Sequence, residues 1–437
     1  MLWWTILVTV VLALVFAFVS LYVVYRFCAP EDRKERKFAF VIAVWGVTLS
    51  CLHILVFTLD VANVKETLHL HLEGVWGAVL VSSTVTVVVL IPLSLFHYDA
   101  LDSDEEKSTV GVAVARTAAL VCVVTAIFFA FWWLIGGSDS GGHSSPLAFL
   151  LSFAVVVGWM VFSWMGGIGF FAIPFCGVYS FLHRTIPISE PEYEALCSRM
   201  HDTSGRLLEV GKQLEGQSSK GRKHKNRVIE FKRQVRNLEE RFAAAETAFH
   251  TSDSVVLLNY VWLVVSMIGG CISVVWIVHL FVHNVFQLHP FLDGALVNLS
   301  GVVPMAGTLT FFLLSLHLLL ATLAGFWVVT QFTTPFPVLH MQKGATTLNS
   351  ILYNIEVLLI GSFAALYLCA ISFSEYAANT CLLTQIVQKM NTVTYMHNIM
   401  TYLQYGQPAL ALAFPLIAFA IWKLGSCCTA ERDEADE

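Results

Sequence analysis

Two ionisable side chains, Arg116 and Glu356, stand inside long apolar runs of this 437-residue chain. A charge in hydrocarbon is costly, so such residues are the first candidates for function. Each lies about one to two turns from the same end of its run. They are expected either to pair in a bundle interior or to act apart, Arg116 snorkelling to the headgroups and Glu356 bonding a neighbouring helix. Asp60 stands near the other end of its run, where a carboxylate reaches water cheaply, and is expected to mark a boundary. Histidines gather on that side: His69 and His71 beside Glu66 and Glu73, then His143, His283, His289 and His397. With a reference pKa of about 6.5 they either charge in an acidified compartment and release a ligand, or pack as interfacial residues. His279 and His283 share a helix face in HLFVH, but the glutamate of a zinc protease is missing. No Walker loop, GxSxG elbow or kinase signature occurs. Of ten cysteines, Cys51, Cys122, Cys176, Cys271 and Cys369 sit in apolar runs without a CxxC, against a disulfide framework or zinc site. No catalytic residue, metal ligand or cofactor is therefore expected, and an enzyme is disfavoured.

The elements that must position these residues are membrane helices. With 57% hydrophobic and 13% charged residues and a mean hydropathy of +0.71, the chain lies far from soluble proteins. A nucleic-acid partner is excluded by the same balance; the lipid bilayer is the first partner. Runs able to cross a hydrocarbon core of about 30 Å begin near Leu2, Phe38, Gly74, Gly111, Leu147, Val255, Met305, Leu348 and Gly406, about nine spans. The opening MLWWTILVTVVLALVFAFVSLYVVYRF has no basic n-region and is expected to be a retained first span.

Lys and Arg sort by side. One set of loops holds Arg26, Arg33, Lys34, Arg36 and Lys37, then Lys107, thirteen residues between Arg184 and Ser254, Lys343, Lys423 and Arg432. The other set holds Lys65 and Lys389. The positive-inside rule puts the first set in the cytosol, with the N-terminus extracellular or lumenal and the C-terminus cytosolic. Asn298-Leu299-Ser300, on the far side, is a glycosylation acceptor pattern or a chance match. Cys427 and Cys428 follow the last span as palmitoylation candidates or an incidental pair.

Two segments depart from simple spans. Leu147 to Leu182 is too long for one straight crossing and contains Gly166, Gly167, Gly169 and Pro174. The expectation is a tilted helix using small residues for close packing, or a helix broken at the glycines as a gate. Beyond it, Tyr193, Leu196, Met200, Thr203, Leu207, Val210 and Leu214, then Val228, Phe231, Val235, Leu238 and Phe242, recur by threes and fours. Ser189 and Glu192 form a capping-box start, and Gly216 to Gly221 breaks the pattern. An antiparallel cytosolic hairpin follows, with Lys220, Arg222, Lys223, Lys225 and Arg227 at its tip. That tip either meets anionic lipid or an acidic partner, or is a solvated turn. The expected organisation is a five-span region (1–183), the coiled-coil-like hairpin (184–254), a four-span region (255–424) and an acidic cytosolic tail (425–437).

GGIGFFAIPFCGVYSFLHRTIPISEPEY, VLHMQKGATTLNSILYNIEVLLIGS and LDVANV resemble segments at corresponding places in the limb-region-like membrane proteins, the lipocalin-interacting membrane receptor (LIMR) family, in its plant and protist branch. The resemblance covers essentially the whole chain. It implies a multi-pass receptor or trafficking escort in a plasma or endolysosomal membrane. An unknown extracellular or lumenal ligand would be met outside and a cytosolic protein partner bound through residues 184–254. The alternative is a transporter or transport-associated protein for a small solute, with Arg116 and Glu356 lining a cavity. Short, cysteine-poor outer loops carry no recognisable lipocalin or cobalamin site.

Overall fold

In hydrocarbon every backbone N–H and C=O must find a partner within its own segment, so long apolar runs become helices. The computed structural model describes residues 2–66, 68–102, 109–137, 142–215, 222–332, 341–403, 405–406 and 408–413. Regular structure among them is helical, apart from two isolated bridges, Cys28 to Thr346 and Gly137 to His143. In order the first elements are α1 (Leu2–Phe27), α2 (Pro30–Glu35), α3 (Lys37–Lys65), α4 (Glu73–Val85), α5 (Ile91–Asp102), α6 (Thr109–Ile135) and α7 (Pro146–Leu182). Then come α8 (Glu190–Glu215), α9 (Arg222–Phe249), α10 (Asp253–His279), α11 (Phe291–Val302), α12 (Pro304–Phe332), α13 (Leu348–Ser372), α14 (Gln388–Asn391) and α15 (Thr394–Leu403). A π-helical turn, Thr86–Leu90, joins α4 to α5 just ahead of Pro92, whose missing N–H disturbs the regular ladder. Two more π-helical stretches, Leu280–Val285 and Leu382–Val387, follow α10 and precede α14.

Eight of these runs are long and apolar enough to cross a membrane, and they begin within two residues of the expected starts. The ninth expected span, from Gly406, lies mostly outside the described residues, as do Cys427, Cys428 and the acidic tail. Helix α13 is the axis of the bundle, with 78% of its apolar window buried, against none for α6. It packs on α3, α5 and α12. Around it Trp76, Trp159, Phe57, Phe311, Phe373 and Tyr376 join one continuous core.

The chain divides into two compact units, Met1–Ile173 with Gly269–Glu437, and Pro174–Ile268. Within the first, α7 runs as one continuous helix through Gly166, Gly167 and Gly169, in the form of the close-packed helix rather than the broken one of the two alternatives. Gly169 serves packing: a Cβ on it would collide with the Ala321 carbonyl, and one on Gly325 with the Met165 carbonyl, so the α7 and α12 backbones touch. Pro174 lies inside the helix.

The second unit holds the ends of α7 and α10 with α8 and α9. Phe181 meets Tyr260 edge-on at 5.0 Å, and the Arg184 guanidinium lies 3.9 Å from the Phe181 ring centroid. The hairpin is antiparallel, since Tyr193 stacks on Phe249 at 4.4 Å while Gly211 faces the Phe231 ring. Glu192 accepts from the Ser189 N–H at 3.0 Å and from its hydroxyl at 2.9 Å, which starts α8 at the expected cap. The turn from Gly216 to Gly221 lies outside the described residues.

Candidate functional site

Three buried aspartates and one histidine tie the axis helix and the segment that follows it to the rest of their unit. Asp60, near the end of α3, takes the Trp76 indole N–H at 2.9 Å and the backbone N–H groups of Cys381 and Leu382 at 3.0 and 2.9 Å. Its carboxylate thus sits at the N-terminus of the helical stretch from Cys381, where free amides and the helix dipole favour negative charge. Three residues on, Asn63 holds the connection to α4 by exchanging two bonds with Leu70, at 3.0 and 2.8 Å. Asp60 is 1% exposed, so the expected boundary residue is an interior tie.

At the opposite end of the axis, Asp32 in α2 accepts the Leu348 N–H at 2.8 Å and so caps α13. The Tyr98 hydroxyl reaches both its oxygens at 3.3 Å, and Arg36 lies 3.5 Å away while its guanidinium covers the Tyr98 ring at 3.3 Å. The segment before α13 is clipped to the end of α1: Gly344 N–H to Arg26, Thr346 N–H to Phe27, and Ala29 N–H to Thr346. Gly344 has φ of 69°, the left-handed conformation that glycine adopts without penalty. The third aspartate, Asp293 in α11, receives the N–H groups of Glu375 and Tyr376, both at 2.8 Å, just past α13. Burial pushes its carboxyl up, while those two amides pull it down.

Midway along α13, Ser362 lies 2.7 Å from His53 Nδ1, and Ser83 of α4 lies 3.0 Å from His53 Nε2. Both serines also reach carbonyls of their own helices, Leu359 and Val79. A neutral imidazole donates once and accepts once, so one serine gives its proton to His53 while the other receives and bonds its own carbonyl. His317 of α12 makes a similar bond to Ser273 of α10 at 3.0 Å. His279 gives its Nε2–H to the Ser372 carbonyl at 3.1 Å and lies against His283, ring centroids 5.5 Å apart.

These groups can hold helices together: the three aspartates accept from backbone, indole or hydroxyl donors, whereas Nδ1 of His279 and Nδ1 of His283 are buried without a hydrogen-bond partner. Among the described residues no three His, Cys, Asp or Glu side chains are placed to share a metal ion. The residues singled out from sequence fall elsewhere. Arg116 is exposed on α6 and Glu356 is half-buried on α13; no ion pair joins them, because α6 packs on α5 rather than on the axis. Equal depth did not bring equal azimuth. Asn298 is exposed on α11, two residues before Ser300, whose hydroxyl lies 2.7 Å from that of Tyr376. Arg222, Lys223 and Lys225 belong to the first turn of α9 and Arg227 is exposed, while Lys220 lies outside the described residues. His53 was legible by the rule that selected Arg116 and Glu356; Asp32 and Asp293, in short polar connections, gave no such signal.

The profile of the LMBR1-like membrane protein family matches residues 5–251. A LIMR family protein of Oryza sativa subsp. japonica is 24% identical, the match covering 95% of this chain and 96% of the relative. One from Dictyostelium discoideum is 23% identical over 86% of this chain and 89% of its own, and one from Arabidopsis thaliana 23% identical over 93% and 94%. No solved structure matches the chain.

Proposed function

The chain belongs to the LMBR1-like membrane protein family, and on that premise we propose that it is a multi-pass receptor or trafficking escort whose cytosolic hairpin recruits a protein partner. The observation that carries this reading is the hairpin itself. It belongs to a compact unit of its own, and Leu196, Leu208, Val210 and Phe242 remain exposed on α8 and α9. Two helices leave part of such a seam uncovered, and a partner helix covers it at a gain of roughly 25 cal/mol per Å² of apolar area. The charge asymmetry supports a cytosolic hairpin and an extracellular or lumenal N-terminus. The saturated aspartates support a binding rather than a catalytic role.

The test is deletion of Glu190 to Phe249 with membrane insertion preserved, followed by crosslinking and pulldown from the native membrane. Loss of cytosolic partners with retained insertion is expected; an unchanged partner set overturns the reading. A small-solute transporter is the second reading, favoured by the imidazole of His53 at the centre of the bundle. Solute flux into reconstituted vesicles that falls in Glu356→Gln or His53→Gln would establish it instead.

A further inference from the structure

Where α3 begins and α5 ends, a cleft of about 390 Å³ opens between the short helix α2 and these two spans. Lys34, Arg36, Lys37 and His97 line it, with Glu35 as the one acid on its wall. The depth of this cleft follows from the helices that bound it. The apolar run of α3 starts at Lys37, and that of α4 and α5 ends at Ala100, so the opening lies where hydrocarbon gives way to headgroups. Arg36 forms the floor: its guanidinium is fixed over the Tyr98 ring, bonds the Tyr98 carbonyl at 3.2 Å and is matched by Asp32. Lys34 and Lys37 are exposed, opposed only by Glu35 among the lining residues, and stand beside the first turn of α3, where amides lack intrahelical acceptors. On the neighbouring face Arg33 lies 3.6 Å over Tyr25, with its Nε buried and unpartnered, beside an apolar cleft formed by Phe18, Leu21 and Phe40. Cations at headgroup level next to an apolar cleft match the two ends of one kind of molecule.

We propose that the cleft bounded by Lys34, Arg36 and Lys37 is a binding site for an anionic phospholipid whose headgroup carries a phosphomonoester. The volume falls in the range of small-ligand sites, about 300–1,000 Å³, and exceeds what a lone phosphate fills. Two exposed ammonium groups beside a guanidinium held by Tyr98 and Asp32 suit a dianionic phosphate, and basic pockets between membrane helices are a recurrent form of such recognition. The source is the bilayer rather than solution, since the mouth lies at the headgroups.

The test uses the full-length protein in phosphatidylcholine nanodiscs, titrated with phosphatidylinositol 4-phosphate and read by native mass spectrometry. Wild type is expected to retain this lipid at least about tenfold over added phosphatidylserine. The double variant Lys34→Ala/Lys37→Ala should lose it about tenfold, and Lys34→Arg/Lys37→Arg should restore it. Glu35→Gln should bind several-fold more tightly, a gain that misfolding cannot produce. Lys343→Ala, a same-end cation outside the cleft, should bind as wild type. Retention by the double alanine variant, or an equal loss in Lys343→Ala, overturns the site in favour of diffuse charge. Equal affinity for soluble inositol 1,4-bisphosphate overturns the lipid as its source.

Discussion

A carboxylate ties two parts of a membrane protein strongly when it replaces the solvent of several amides at once. Asp60 does so for three donors, two of them 321 and 322 positions away in the chain. Each buried donor left without an acceptor costs about 1–3 kcal/mol, so Asp60→Ala is expected to destabilise the protein by about 3 kcal/mol or more, with Asp60→Asn intermediate. Thermal unfolding in detergent measures this. Arg116→Ala, by contrast, should shift stability by no more than about 0.5 kcal/mol, because the side chain is exposed and, among the described residues, pairs with no carboxylate. A sequence shows how deep a residue lies in a span but not which way it faces. That is why pairing of Arg116 with Glu356 and separate roles for the two are equally compatible with their depth, and why Asp60, one turn from water along its own helix, reads as a boundary residue in the sequence. His53 shows the converse: its depth in the second span is a signal the sequence offers, although only the structure brings it to notice.

Helix ends and crossings show the same division. The apolar runs and the Ser189–Glu192 cap were legible because hydropathy and capping are local; the π-helical turns and the α7–α12 crossing were not, because they depend on what packs against them. The three family motifs carry much of this non-local structure: Gly169 with the α8 cap in GGIGFFAIPFCGVYSFLHRTIPISEPEY, Gly344, Leu348 and Ser362 in VLHMQKGATTLNSILYNIEVLLIGS, and Asp60 and Asn63 in LDVANV. Gly325→Val should force the α7 and α12 backbones apart and cost about 1–3 kcal/mol or more, again by thermal unfolding. The α8 cap makes a pH prediction. The Ser189 N–H and hydroxyl hold the Glu192 carboxyl below its ordinary value. The cap's contribution is therefore complete above the unfolded-state value and is lost as pH falls through the lower folded one. Amide exchange in Glu190–Glu194, corrected for intrinsic rate, should rise over that acidic window in wild type and stay flat in Glu192→Gln.

At the scale of the whole molecule, the orientation gives the sharpest check. In a background with the native cysteines replaced, a cysteine placed at Gly205, exposed on α8, should react with a membrane-impermeant maleimide only from the cytosol, and one at Gly74, exposed at the start of α4, only from outside or the lumen. The reverse pattern would invert the topology. The position of α13 also sets an order of manufacture. The most buried helix is made after α1 to α12, and Asp32, His53 and Asp60 wait for amides and hydroxyls that lie beyond residue 347. The ribosome thus builds the wall before the pillar, and until residues 348–382 emerge the bundle holds polar groups without their final partners. A chain stopped before residue 348 would hold Asp32, His53 and Asp60 in the bundle without those partners, so the fold closes from its C-terminal part inward.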